Sequence, residues 1–171
     1  FAYVWDNQGV EDISGFLRSF KQRIIDCRWQ EWHDHIQNSD RFLEYRLFKT
    51  NNCVETYVLT DMNRYVRSAL TKFRFGVSDI ACHRFRYNTT SSNKVLCRLC
   101  NVSEENDIHF MFCCPALYDL REKLIPPKYY SNPCQFRLNL LMSSTKESIL
   151  RDVAIYAYLG LRRLYIATDR K

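Results

Sequence analysis

Apolar side chains return at helical spacing along most of the chain. Between residues 13 and 36, Ile13, Phe16, Leu17, Phe20, Ile24, Cys27 and Trp32 recur every three or four positions, with Arg18, Lys21, Arg23 and Arg28 between them. That is the period of one face of a long amphipathic helix. Asn38-Ser39-Asp40 offers a cap for a short second helix over residues 41–48. Residues 51–59 are ambiguous, because Val54, Tyr57 and Val58 suit either a helical or a strand period. The clearest pattern spans 60–75, where Met62, Tyr65, Val66, Ala69, Leu70 and Phe73 fall at i, i+3, i+4, i+7, i+8 and i+11. Thr60 is the expected cap, and Gly76 stands where a left-handed terminating residue belongs. Arg64, Arg67, Lys72 and Arg74 decorate this helix and its end, so it reads as a solvated basic helix.

Beyond Gly76 the pattern becomes irregular, with a polar link at 89–93 and an acidic turn at 104–107. A short hairpin fits residues 95–101. Residues 109–113 suit one helical turn, and Pro115 can open the next helix because its missing N–H is unneeded there. Pro126-Pro127 stops that helix. A last long helix covers 145–168, with Ile149, Val153, Ala157, Leu161, Leu164 and Tyr165 as its apolar stripe. The expectation is a mostly α fold, a single helical domain with a small metal-binding knuckle. Residues 1–59 form an N-terminal helical segment and 60–171 the remainder. No repeat or linker divides the two, so they are expected to form one globular unit.

Composition narrows the class. In 171 residues, 46% are hydrophobic and 15% aromatic, ample for a core, and four Gly and four Pro exclude a loop-rich or collagen-like chain. No apolar run approaches the ~18 residues a membrane span requires, so no membrane partner is expected. The first residue is Phe, which suggests a processed product or a piece of a longer polypeptide. A formal charge of +6 and a pI near 8.9 permit polyanionic partners.

The eight cysteines change the picture most. An even count and the sequons at Asn88 and Asn101 would suit a secreted disulfide protein, but no signal peptide is visible. Four cysteines crowd into residues 97–114, as metal ligands do. A reduced, intracellular setting, nuclear or cytoplasmic, follows. Cys97-Arg-Leu-Cys100 lets two thiols converge on one tetrahedral ion, and His109 with Cys113 or Cys114 completes a mixed sulfur–nitrogen set that suits Zn2+. Spacing alone leaves Cys113 and Cys114 equal as fourth ligand. Four protein ligands leave no open position, which makes the ion structural. The plain competing explanation is a set of reduced core cysteines with an incidental His. His33 and His35 face different sides of a helix and read as exposed polar residues. Cys82-His83 reads as a core thiol beside a basic His. Arg84, Arg86, Arg98 and Lys94, interleaved with Phe85 and Tyr87, can grip phosphates and stack on bases, or simply divide into core and solvated face. No Gly-rich phosphate loop, nucleophile elbow or pKa-shifting carboxylate pair is present, so no catalytic residues are expected.

The run Leu70-Thr-Lys-Phe-Arg-Phe-Gly76, then Cys97-Arg-Leu-Cys100, then His109-Phe-Met-Phe-Cys-Cys-Pro115-Ala-Leu-Tyr-Asp-Leu-Arg121 resembles the zinc-binding region after the polymerase in non-LTR (LINE-type) retrotransposon reverse transcriptases. Upstream, Phe20-Lys-Gln-Arg, Trp29-Gln-Glu-Trp, Asn38-Ser-Asp-Arg-Phe42 and Tyr45 resemble the segment preceding that knuckle. The resemblance covers about two thirds of the chain. It implies that Cys114, directly before Pro115, is the fourth ligand. It also implies that the knuckle and its neighbouring helices handle RNA or DNA beside a polymerase. The polymerase's paired aspartates and any nuclease pattern are absent, so the chain resembles a C-terminal remnant or a repurposed piece. The expected activity is zinc-stabilised binding of RNA or single-stranded DNA through Arg64, Arg67, Lys72, Arg74, Arg84, Arg86 and Arg98. The alternative is a protein-interaction module with a structural zinc, its partner another protein or the rest of a reverse transcriptase polypeptide.

Overall fold

The computed structural model describes residues 12–49, 51–85 and 95–169. It is mostly helical, and no helix among these residues is long and apolar enough to cross a membrane. The chain divides into two compact units, after Asp40. The sequence pattern suggested a division at 59/60 instead. Residues 41–59 go with the second unit because Tyr57 belongs to its core.

Among its described residues, the first unit is chiefly one 26-residue helix, α1 (Ile13–Asn38), capped by the Asp12 carboxylate on the Gly15 amide at 2.9 Å. Its apolar residues are mostly exposed, and only Ile36 is buried.

In the second unit the expected 41–48 helix is two 3-10 turns, Asp40–Phe42 and Tyr45–Leu47, the first beginning at the unit boundary. One helical turn follows, α2 (Thr56–Leu59). Thr60 ends α2 and does not start the next helix, since its backbone is extended and its hydroxyl donates to the Thr56 carbonyl at 2.9 Å. Asn63 caps α3 (Arg64–Arg74) by accepting from the Tyr65 amide. Gly76, at φ 62°, closes α3 as its position suggested. A single turn, α4 (Ala81–Arg84), then leads toward the knuckle.

The 95–101 hairpin is a narrow antiparallel loop joined by one bridge, Leu96 to Glu104, with Cys97 N–H donating to Ser103 O and Glu105 N–H to Val95 O. After it come a π-helical turn (His109–Cys113), a 3-10 turn (Pro115–Leu117), α5 (Tyr118–Leu124), α6 (Pro127–Tyr130) and α7 (Gln135–Met142). The last helix, α8 (Glu147–Asp169), packs against α3 and α5.

Leu70 and Phe73 of α3, Phe110 and Met111 of the π turn, Leu117, and Tyr156 and Leu164 of α8 meet in one core. The stripe expected on α8 is shifted at its end, since Tyr165 is exposed and Gly160 is buried. Gly160 is needed because a Cβ there would lie 2.7 Å from the Phe110 ring.

Candidate metal centre and the basic surface

Cys97, Cys100, His109 and Cys114 converge. Their ligand atoms all lie within 4.8 Å of one another, with Cys97, His109 and Cys114 buried. The backbone explains the meeting. A tight turn at 97–101, closed by Asn101 N–H on Cys97 O at 2.8 Å and by Asn101 at φ 55°, brings the first two sulfurs together. From the other side, the Asn106 side chain accepts from the His109 amide at 2.9 Å and starts the π turn. The wider turn ends with Cys114 N–H on His109 O at 2.7 Å, and extended backbone at Cys114 then carries its thiol into the core while Cys113 stays exposed.

Side chains from two other helices donate to three carbonyls at the end of this turn. Tyr156 donates to Phe110 O at 2.6 Å, and Arg121 donates to Phe112 O at 2.6 Å and to Cys114 O.

The distances fit a tetrahedral ion. Sulfurs about 2.3 Å from a shared ion stand about 3.8 Å apart. Cys97 Sγ and Cys114 Sγ are 3.9 Å apart, and Cys100 Sγ lies 3.3 Å from His109 Nε2. A disulfide would need about 2.05 Å, and all eight cysteines are free. One of the two adjacent sulfurs is also prepared for negative charge. The Cys97 thiol falls to about 5, chiefly because Cys114 donates to it, with further help against burial from the amides of Cys100 and Leu99. The shared proton and burial push Cys114 up. These four side chains can hold one metal ion.

Beside them, Glu105 locks the loop in place. Only 1% exposed, it accepts from the Arg98 guanidinium at 2.7 Å, the Arg98 amide at 2.9 Å and the Ala81 amide at 2.8 Å. Arg98 also reaches Asp79 O and, at 3.1 Å, the Thr168 hydroxyl of α8.

A second group, Cys82, His83 and Asp107, also lies close together. Here His83 Nε2 sits 2.8 Å from Asp107 Oδ1, off the hydrogen-bond direction, and Nδ1 pairs with Ser78 Oγ at 2.7 Å. Ligands about 2.0 Å from one tetrahedral ion would stand about 3.3 Å apart, so the spacing is that of a direct imidazole–carboxylate contact. His83 is thus an internal partner of Asp107, a role its neighbour Cys82 gave no hint of.

The arginines expected on the surface separate into two groups. Arg74 is 2% exposed, donates to Glu55 at 3.0 Å and to Met142 O, and lies over the rings of Phe48 and Tyr57. Arg98 is held by Glu105, and Arg67 by the carbonyls of Thr60 and Met62 at 2.9 and 3.3 Å. These three are corrected from surface contacts to internal ties, because carbonyls and carboxylates of the fold already engage their guanidiniums. Arg64, Lys72 and Arg84 are exposed, and Arg86, Tyr87 and Lys94 lie outside the described residues. One exposed cation that the sequence did not single out, Arg162 of α8, lines a cleft with Lys72. Only packing of α8 on α3 could have revealed it. No protein-family model matches this chain, and the comparisons with curated proteins and with solved structures found no match.

Proposed function

We propose that the chain is a zinc-stabilised domain that binds RNA or single-stranded DNA, related to the region following the polymerase in LINE-type reverse transcriptases. The observation that carries this reading is the convergence of three thiols and one imidazole at tetrahedral spacing. Soft thiolates with an imidazole favour zinc over calcium or magnesium. Cys97, Cys100, His109 and Cys114 would hold the ion, whose chemistry is to neutralise and cross-link the thiolates with no coordination position left for substrate. The nucleic-acid half rests on the resemblance at Leu70–Gly76 and around the knuckle, and on the exposed Arg64, Lys72, Arg84 and Arg162.

Metal analysis of the purified chain is expected to give one zinc per molecule. Titration with labelled oligonucleotides is expected to show affinity falling linearly on a log–log plot against salt. A flat salt response would remove the nucleic-acid half and leave the zinc half standing.

A second reading has its own support. Exposed Ile13, Leu17, Ile24, Ile25 and Trp29 on α1 suit a protein-interaction module with a structural zinc. Salt-insensitive self-association or partner binding, lost when Leu17 and Trp29 are changed to Ser, would favour it.

A further inference from the structure

Exposed cations and aromatic rings meet in one concavity of the second unit. A cleft of about 290 Å³ opens between α3 and α8, lined by Tyr65, Ser68 and Lys72 from one side and Tyr158 and Arg162 from the other. Most other buried or half-buried cations of this unit are already engaged. Lys49 and Arg74 meet Glu55, Arg98 meets Glu105, and Arg163, next to Arg162, is held by Asp119 at 2.6 Å. Lys72 and Arg162 differ: both are exposed, and neither side chain has an ion-pair partner among the described residues. Two like charges facing one concavity repel each other until an anion arrives. Asp79 also borders the cleft, but its charge acts on Arg98, which additionally holds its carbonyl.

The rings decide what kind of anion fits. Tyr65 is 56% exposed at the first turn of α3, where the apolar pattern alone would have buried it. Its hydroxyl is held by Arg64 at 2.7 Å, with the guanidinium 4.7 Å from the ring centroid. Tyr158 is half-buried on the opposite wall. A bare phosphate would use the cations and leave these rings idle. A nucleotide uses both, with its phosphate on the cations and its base against a ring. In a duplex the base faces are already stacked, so an aromatic wall in a cleft has access only to an unpaired base.

We propose that the α3–α8 cleft seats a single unpaired nucleotide of RNA or single-stranded DNA, with Lys72 and Arg162 on its phosphate and Tyr65 against its base. This rests on the nucleic-acid reading above and narrows it to a site, a strand state and a residue set. Arg162 enters as a contact, and Arg67, Arg74 and Arg98 leave.

The test uses the full metal-loaded chain and a labelled oligothymidine of about a dozen nucleotides, free or annealed to oligoadenosine, read by anisotropy across salt. All substituted residues are exposed, and circular dichroism checks that each variant folds. Tyr65→Ala is expected to weaken single-strand binding roughly fivefold or more while leaving duplex binding unchanged. Lys72→Ala with Arg162→Ala is expected to flatten the single-strand salt slope by about 0.7, one phosphate's worth. The control pair Lys146→Ala with Arg151→Ala removes equal charge from exposed positions outside the cleft lining and is expected to change the slope far less. Equal losses from both pairs, with no effect of Tyr65→Ala, would overturn the cleft proposal and leave nucleic-acid binding intact. No binding by the unaltered chain at any salt would overturn both.

Discussion

Near the end of α3, Lys72 and Arg74 are two positions apart and have opposite fates. Lys72 is exposed, whereas Arg74 is enclosed by Glu55, Met142 O and two aromatic rings. The Glu55 carboxylate also contacts Lys49 at 3.4 Å and accepts from the Tyr45 hydroxyl at 2.8 Å, so Arg74 anchors a buried polar network. Removing one partner of such a network strands the others. Arg74→Met is therefore expected to destabilise the fold by about 3–5 kcal/mol, measured by denaturant unfolding, while Lys72→Met costs well under 1 kcal/mol. A charge reversal at Arg74 that abolished nucleic-acid binding would report unfolding and not a lost contact. The same reasoning separates the adjacent thiols. Cys114 is fully buried beside Cys97, while Cys113 is exposed. Cys114→Ser is expected to lose the bound metal, and Cys113→Ser to retain it at full stoichiometry by elemental analysis. The opposite result would reassign the fourth ligand.

Elements divide according to whether their determinants are local. Helices α3 and α8 and the left-handed Gly76 were legible because period, cap and terminator lie within a few residues of each other. Even so, the start of α3 moved from Thr60 to Asn63, since two good capping residues stood close together and tertiary packing chose between them. The turn at 109–113 was legible as helical, but its π geometry was not. Its extra residue is held by Tyr156 and Arg121, 46 and 9 residues from the carbonyls they satisfy, and no local pattern announces them. Spacing marked Cys97, Cys100 and His109 as candidate ligands but left Cys113 and Cys114 equal, and the fates of Arg74 and Arg98 were hidden because Met142, Asp79 and Thr168 reach them from elsewhere in the fold. Helix α8 supplies a direct check of the tight crossing at Gly160. Alanine normally gains about 0.5–1 kcal/mol over glycine inside a helix. Here its Cβ would press on the buried Phe110 ring, and overpacking costs about 1–3 kcal/mol. Gly160→Ala is thus expected to lower stability, and a rise in melting temperature would show that Phe110 has room to move. The knuckle loop offers a pH test. Burial alone would raise the Glu105 pKa, but the Arg98 side chain and the amides of Arg98 and Ala81 hold it below its ordinary 4.5. Its contribution is present above that ordinary value and is lost as pH falls through the depressed one. The stability gap between the native chain and Glu105→Gln is expected to be widest near neutral pH and to narrow as pH falls below the ordinary 4.5 and through the depressed value. A gap independent of pH would mean that the carboxylate's charge does not support the loop.

At the scale of the whole molecule the two units differ in how they resist opening. Isolated helices are marginal in water, and α1 buries only Ile36. In the second unit, residues of the π turn, α3, α5 and α8 share one core, and Cys97 and Cys114, two of the four side chains that can hold a metal ion, belong to it. A metal bound there would therefore not decorate an independent loop. Its loss would leave buried thiols in the core that holds Phe110 and Leu117, the side chains nearest Gly160 of α8. Structural zinc contributes on the order of 10 kcal/mol of apparent free energy in small knuckles. Most domains have a total stability of about 5–15 kcal/mol, so the second unit should feel the loss well beyond residues 97–114. Hydrogen exchange read by mass spectrometry, with and without a chelator, makes this measurable. With metal bound, amides of α1 are expected to exchange orders of magnitude faster than those of α3 and the middle of α8. On chelation, protection should collapse through 95–117 and fall in α5 and α8 as well, while α1, already open, changes little. Collapse confined to residues 97–114, with α5 and α8 unchanged, would show that the apolar core stands without the ion.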